Sequence, residues 1–476
     1  MTILVSCYHY DFIYLAKENR LMTCAKQPFV YSQENLKNIA QFVLDSAKKL
    51  GASDAAMEVA EGNGFSVTVR QNEVETIEYY GDKSVAVTVF IGKKRGNAST
   101  ADFSNQALED TVKAAYNIAK FTAEDECAAL AEADLLEQAP PDLKLFSPWS
   151  VTTQEAVEIA RRAEAAAFET DACIVNSDGA GVSTSQSHFV LANSRGFMQG
   201  FPISRHTLSC SPIAGYNQSM QRDDWYSSER DATLLRQPEA IGHYAAKRAL
   251  ARLQARPITT RKCPVLFEAP IAAGLLGSLV QALSGGALYR GTTFLANSLN
   301  KKIFPSHINL LEDAHVIGGP ASAPFDNDGV RTSKRLVIEA GEVNGYFLSC
   351  YSARKLGMQT TGNAGGAHNL YLTSNQTQAN DDFSAMLKKL GTGLLVTDLM
   401  GQGVNIVTGD YSRGASGFWV EQGEIAFPVE EITIASTLET MFNQVVAIGA
   451  DTLVRGCKHI GSILIEEMTI AGRSVA

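Results

Sequence analysis

No histidine in this chain is followed by glutamate, and no two of its eight histidines (His9, His188, His206, His243, His307, His315, His368, His459) lie three to five residues apart. A helical HExxH or HExxxH zinc site is thereby excluded, because it needs two imidazoles on one helix face, within reach of one tetrahedral ion, and a glutamate beside them as base for the bound water. The eight cysteines are scattered singly, with no CxxC. There is thus no clustered disulfide framework, and a reducing compartment is expected. No run of about twenty apolar residues occurs, so no membrane-spanning helix is expected. GASG at Gly414 to Gly417 lacks the spacing of a GxSxG nucleophile elbow, and no GxxxxGK[ST] loop exists. GQGVN at Gly401 to Asn405 lacks the third glycine of a dinucleotide loop, and Asp326-Asn327-Asp328 is too short for a calcium loop.

Positive charge is scarce as well. Lys and Arg number 41 against 51 Asp and Glu, a net charge of −10. That balance disfavours direct nucleic-acid binding, which draws its affinity from clustered cations. The run Lys93-Lys94-Arg95 follows the strand-like SVAVTVFIG and is expected to be a solvated hairpin end. The N-terminal MTILVSCYHYDFIYLAKENRLM has no basic leader, and Tyr8 to Asp11 interrupt its apolar stretch, so a cytoplasmic protein with no membrane association is expected. Residues 1–32 fit no periodic element and read as a loose tail, with Met22 an alternative start.

What is present is a chain of 476 residues, 45% apolar and 19% charged, enough for two or three domains. A first lobe is expected over 33–122. Its helix from about Gln33 to Leu50 is capped by Ser32, an antiparallel meander with turns at GNG (62–64) and YGD (80–82) follows, and a helix from about Leu108 to Lys120 closes it. An acidic, alanine-rich linker covers 123–145. The second lobe, 146–258, opens on a capping box from Thr152 to Glu155, continues through strands turning at DGAG (178–181) and NSRG (193–196), and ends in a helix near His243 to Leu253. Residues 259–476 form a larger domain, with CPVLFEAP entering the small-residue helix PIAAGLLGSLVQAL. The fold class is α+β, with antiparallel-sheet-rich N-terminal lobes and packed helices.

The most specific pattern is the glycine-punctuated block from Gly391 to Ala435, GTGLLVTDLMGQGVNIVTGDYSRGASGFWVEQGEIAFPVEEITIA. Its glycines permit bulges and close backbone approach, which suits an extended peptide on a strand edge. Arg290, Arg413 and Trp419 are the candidates for contacts to such a peptide or to a partner subunit. His459 stands two residues from Cys457, and His307 eight from His315; neither spacing makes a ligand face.

This block, with SGGALYRGTTFLANSLNKKIFP, GVRTSKR and SCYSARKLGMQTTGNAGG, resembles the PmbA/TldD family, in its PmbA (TldE) branch, over about residues 33–473. The resemblance implies a cytoplasmic metalloprotease complex acting on unfolded peptides such as microcin precursors and labile antitoxins. In that complex a TldD-like subunit carries the HExxxH zinc and this chain is its partner, without catalytic residues or a cofactor of its own. Laid on this chain through Gly274-Leu275-Leu276-Gly277, the zinc motif's two histidines fall at Glu268 and Ala273 and its glutamate at Ala269. One carboxylate there leaves too few ligands for a catalytic zinc. Two alternatives stand beside this: an independent peptidase with unconventional ligands, and a non-enzymatic modulator of a toxin or of DNA gyrase, which the family's older naming suggests.

Overall fold

A computed structural model describes residues 28–473. The expected tail falls mostly on residues 1–27, outside the described residues. Its last part, 28–32, is held in place: the amides of Val30 and Tyr31 donate to the Glu61 carboxylate, Phe29 stacks on His188 at 3.9 Å, and Ser32 caps the first helix.

Helix α1 (Gln33–Lys49) stops at Gly51, whose φ of +87° is a conformation glycine takes without strain. Strands β1 (Asp54–Arg70), β2 (Glu73–Ile91) and β3 (Lys94–Thr100) follow in antiparallel order, then helix α2 (Asn105–Phe121). Helix α3 (Thr153–Thr170) carries the expected capping box. After it come β4 (Ile174–Asn193), β5 (Met198–Gln199), β6 (Pro202–Tyr216), β7 (Ser219–Arg222), β8 (Trp225–Glu229) and helix α4 (Pro238–Ala251). The two expected lobes share one eight-stranded sheet, because β1 pairs with β4 from Ala56↔Asn193 to Val69↔Ala180. Odd-numbered β1 side chains point to one face, and both helix pairs cover that face. Helices α1 and α2 pack over Met57 and Val59, and α3 and α4 over Val67 and Val69.

Three expected turns, GNG, YGD and DGAG, are not turns. Gly62-Asn63-Gly64 lies within β1, opposite Tyr80-Gly81-Asp82 of β2. A Cβ at Gly64 would sit 2.3 Å from the Tyr80 hydroxyl oxygen, so glycine here leaves room for a tyrosine to lie across the strand. DGAG is a bulge in β4, where the register to β6 shifts between Ser177 and Ala180. Local composition marked an irregularity at both places, but pairing on both sides of each strand decided its form.

The C-terminal part begins with β9 (Arg261–Phe267), α5 (Ala269–Ala282) and α6 (Gly285–Tyr289). It continues through β10 (Ile308–Asp313), β11 (Lys334–Glu339), β12 (Glu342–Val343), α7 (Cys350–Leu356), β13 (Asn369–Ser374) and α8 (Phe383–Leu390). Strands β14 (Gly393–Met400), β15 (Asp410–Glu421) and β16 (Glu424–Thr437), helix α9 (Leu438–Asn443), and β17 (Val445–Ile448), β18 (Leu453–Arg455), β19 (Lys458–Ile460) and β20 (Ile463–Ala471) complete it. These strands make two six-stranded sheets, antiparallel except at β9/β14 and β13/β19. Leu394 and Val396 face the core that holds α5, while Leu395 faces α8. Burial on both faces is why this strand is continuously apolar.

The stretch expected as a linker is strapped to this part. Arg354 of α7 donates to the carbonyls of Ala129 and Leu130, Tyr351 and Lys355 bond Asp125, and Leu136 pairs with Val330.

Candidate functional site

Helix α5 begins where β9 leaves the middle of its sheet, so its first turn sits at the strand's C-terminal edge. Glu268 is the N-cap residue, its carbonyl accepting from the amides of Ile271 and Ala272, and Pro270 occupies the first turn, where a missing N–H costs nothing. The Glu268 side chain turns toward α4. Oε1 accepts from Arg248 Nη1 at 2.7 Å, and Arg248 Nε donates to Asp223 at 3.1 Å. One turn on, Arg252 donates to Asp398 at 3.1 Å and to Ser416 Oγ at 3.0 Å. Four chain segments from both halves of the protein therefore meet in one ion network, buried at Glu268 and open to solvent at Asp398.

Burial pushes the Glu268 carboxyl above its ordinary range, opposed by Arg248. Burial alone would lower Arg248, but the carboxylates of Glu268 and Asp223 more than offset this and hold it firmly protonated. We take the pair as ionised, since a 2.7 Å contact is that of a charge-assisted bond. A carboxylate so engaged, with Ala269 and Ala273 beyond it, does not fit a zinc ion: one oxygen ligand is blocked by a guanidinium and two positions offer no donor. Among the described residues no group of three His, Cys, Asp or Glu converges as metal ligands.

The other face of α5 lines a cavity of about 780 Å³. Gly274, Gly277, Ser278 and Gln281 form one wall, Arg290 after α6 a second, and the loop 402–407 with Arg413 a third. Two arginines and no carboxylate line it, in a protein of net charge −10. Arg413 Nη2 donates to the Leu399 carbonyl at 3.3 Å, but its Nε is buried without a described partner. Beside it the Tyr411 hydroxyl is likewise hidden and unpaired, and burial pushes it up to about 12. Such a surface offers donors to carbonyl or carboxylate oxygens and stretches of bare glycine backbone, the features an extended peptide meets.

The structure thus brings two of the three candidates, Arg290 and Arg413, to one cavity. Trp419 is not there. It is 6% exposed in the core, with Arg261 over its ring at 4.8 Å and Nε1 donating to Glu421, so its contacts are with this chain. His307 and His315 bond Ser374 and Thr332 separately, and His459 stacks on Tyr371. The network of Asp223, Arg248, Arg252 and Asp398 was missed by sequence reasoning, for the four residues share no motif or spacing.

Profiles described as PmbA/TldA metallopeptidase domain 1, central domain and C-terminal domain match residues 58–119, 146–253 and 260–472. The chain belongs to the PmbA/TldD family. Metalloprotease PmbA of Escherichia coli O157:H7 is 44% identical over 92% of this chain and 98% of its own length. A Haemophilus influenzae protein named as a metalloprotease PmbA homolog is 42% identical over 92% and 97%. Among solved structures, a Bacteroides thetaiotaomicron protein named as a candidate modulator of DNA gyrase superposes with a TM-score of 0.87 at 26% identity, covering 93% of this chain and all of that one. In this PmbA/TldD chain the cavity is built by α5 and by two of the four stretches that carry the family resemblance, the one that begins at Ser284 and the block from Gly391 to Ala435.

One glycine of that wall is sterically required. A Cβ at Gly403 would lie 1.6 Å from the Ser412 carbonyl oxygen, while the Ser412 amide donates to the Gly403 carbonyl at 2.7 Å. Gly403→Ala is expected to push the loop off β15 and cost about 1–3 kcal/mol, the usual range for overpacking. A urea-denaturation midpoint unchanged from the parent would show that the loop is free to move.

Proposed function

We propose that this chain is the non-catalytic subunit of a cytoplasmic metalloprotease complex and that its 780 Å³ cavity guides unfolded peptides toward a zinc centre held by a TldD-like partner. The observation that carries this is the occupancy of the motif positions: Glu268 tied to Arg248, with Ala269 and Ala273 beside it, on a helix whose opposite face opens into an arginine-lined cavity. The family relationship to proteins named metalloprotease supports the reaction class. Unfolded peptides are the substrates this reading favours, because an unfolded chain can pair its main chain with exposed backbone where a folded protein cannot; microcin precursors and labile antitoxins are the ones the family resemblance implies.

The test mixes purified TldD-like subunit, this chain, or both with an unfolded fluorogenic peptide, and measures metal in each preparation. Cleavage is expected only in the mixture, with zinc following the partner. Equal cleavage by the partner alone would remove the proposed role. Stoichiometric zinc in this chain by itself, retained on dialysis, would make it an independent peptidase.

A further inference from the structure

A second cavity, about 630 Å³, opens at the seam between β8 and the β18–β19 hairpin, on the β8 side of the seam rather than against α5. Arg205, Arg236 and Arg455 line it, with Trp225, Tyr226 and His459. Glu229 is the carboxylate at its wall. Across the seam Asp223 and Glu268 are engaged by Arg248 and Arg252, Asp224 acts on Arg455 without contacting it, and none of the three cavity arginines makes an ion pair with a described carboxylate.

Each arginine has donors to spare. Arg455 lies over the Tyr226 ring at 4.0 Å and the Trp225 ring at 4.6 Å, and its one described hydrogen bond is a 3.3 Å contact to the Val454 carbonyl. A guanidinium that lies over aromatic rings and is scarcely hydrogen-bonded keeps N–H donors available, and two of them side by side can donate to one oxyanion. Arg205 spends one donor on the Pro320 carbonyl at 2.9 Å. Just behind, buried Arg230 donates to the carbonyls of Gly319 and Pro320 and adds a further cation. His459 Nε2 is hidden with no described hydrogen-bond partner. Burial depresses Arg205 and Arg455, opposed by Glu229 at Arg205 and by Asp224 at Arg455, so two carboxylates serve the three cavity arginines and Arg230 behind them, and the surplus positive charge is unfavourable in the free protein.

We propose that this cavity binds a small polyanion bearing carboxylate or phosphate groups, gripped by Arg205, Arg236 and the stacked fork of Arg455. The site lies within one chain and does not depend on the function proposed above. The cavity is wide enough for more than a single inorganic anion.

Citrate and pyrophosphate, titrated calorimetrically into the full chain at ionic strength held constant with chloride, separate the two sources. Saturable one-to-one binding is expected for at least one of them, and the tighter arm names the oxyanion. Arg236→Ala, at an exposed position, and Arg455→Lys, which keeps the charge but loses the fork, should each weaken it about tenfold or more. Matching near-UV spectra establish that the variants are folded. No saturable binding of either anion up to about 10 mM, a Kd too weak to reflect a built site, overturns the proposal. So does affinity that survives in both variants, or affinity lost instead in Arg413→Ala, which would place the anion in the α5 cavity.

Discussion

Replacing Arg248 by methionine is expected to lower the stability of this protein by about 3–5 kcal/mol, the range found when one partner of a buried ion pair is removed. Arg248 bonds Glu268 at 2.7 Å and Asp223 at 3.1 Å. Asp223 keeps Arg252 at 3.5 Å, but Glu268, 9% exposed and with Oε2 already unpaired, keeps no side-chain partner among the described residues. Its carboxyl must then stay ionised in a poor dielectric or take up a proton. The sign of the pH dependence follows. In the variant, burial without the guanidinium leaves the folded-state value of Glu268 further above its ordinary 4.5. The stability it permits is fully present below that ordinary value and is lost as pH rises through the raised one. The deficit of the variant against the parent should therefore widen between about pH 5 and pH 8. Arg248→Met combined with Glu268→Leu should recover most of the loss, because a hydrophobic pair of similar volume replaces the charges without an orphan. Chemical denaturation of the three proteins decides it: a single variant within 1 kcal/mol of the parent at pH 8 would mean that the network contributes nothing to the seam between the two halves.

In the assembled complex, Arg290→Ala and Arg413→Ala should each weaken binding of an unfolded peptide by roughly thirtyfold, about 2 kcal/mol, with zinc content unchanged. The expectation rests on the walls of one cavity. These are its two charged side chains, and Arg413 Nε is buried without a partner among the described residues, while Nη2 spends only one bond, to the Leu399 carbonyl. Arg413→Lys should restore little, since an ammonium lacks the planar fork. Trp419→Ala serves as the contrast. Its indole lies in the core, so its loss should appear as instability of about 3–5 kcal/mol rather than as altered peptide affinity. Unchanged peptide affinity in both arginine variants, with the assembly intact by sedimentation, would return Arg290 and Arg413 to packing roles, whereas dissociation of the complex would place them at the subunit interface.

Two helices were the most legible part of this fold, whereas α2 and α4 begin at Asn105 and Pro238, ahead of the expected Leu108 and His243. Ser32, Thr152 and the apolar periodicity after them mark α1 and α3 to within a residue, because a cap is a contact between neighbours three positions apart. The start of α5 was legible for the same reason, and so was the loss of the zinc-motif residues at 268, 269 and 273. Strand ends were less so. Glycine at 62 and 64 looks like a turn from composition, yet its use was to admit a tyrosine from the next strand, a neighbour sixteen residues away across a ladder.

Sequence alone determined the α+β class, the family, and which side chains stand at the positions of the zinc motif, since all of these rest on residue identity and short-range spacing. Only the tertiary structure decided that the two N-terminal lobes share one sheet, that Glu268 is held by Arg248, that Arg290 and Arg413 meet across a cavity while Trp419 does not, and that three arginines converge beside Trp225. Those outcomes depend on strand register and on which helix face meets which sheet, set by the packing of residues from about twenty to about 250 positions apart, and no local pattern in the chain encodes them.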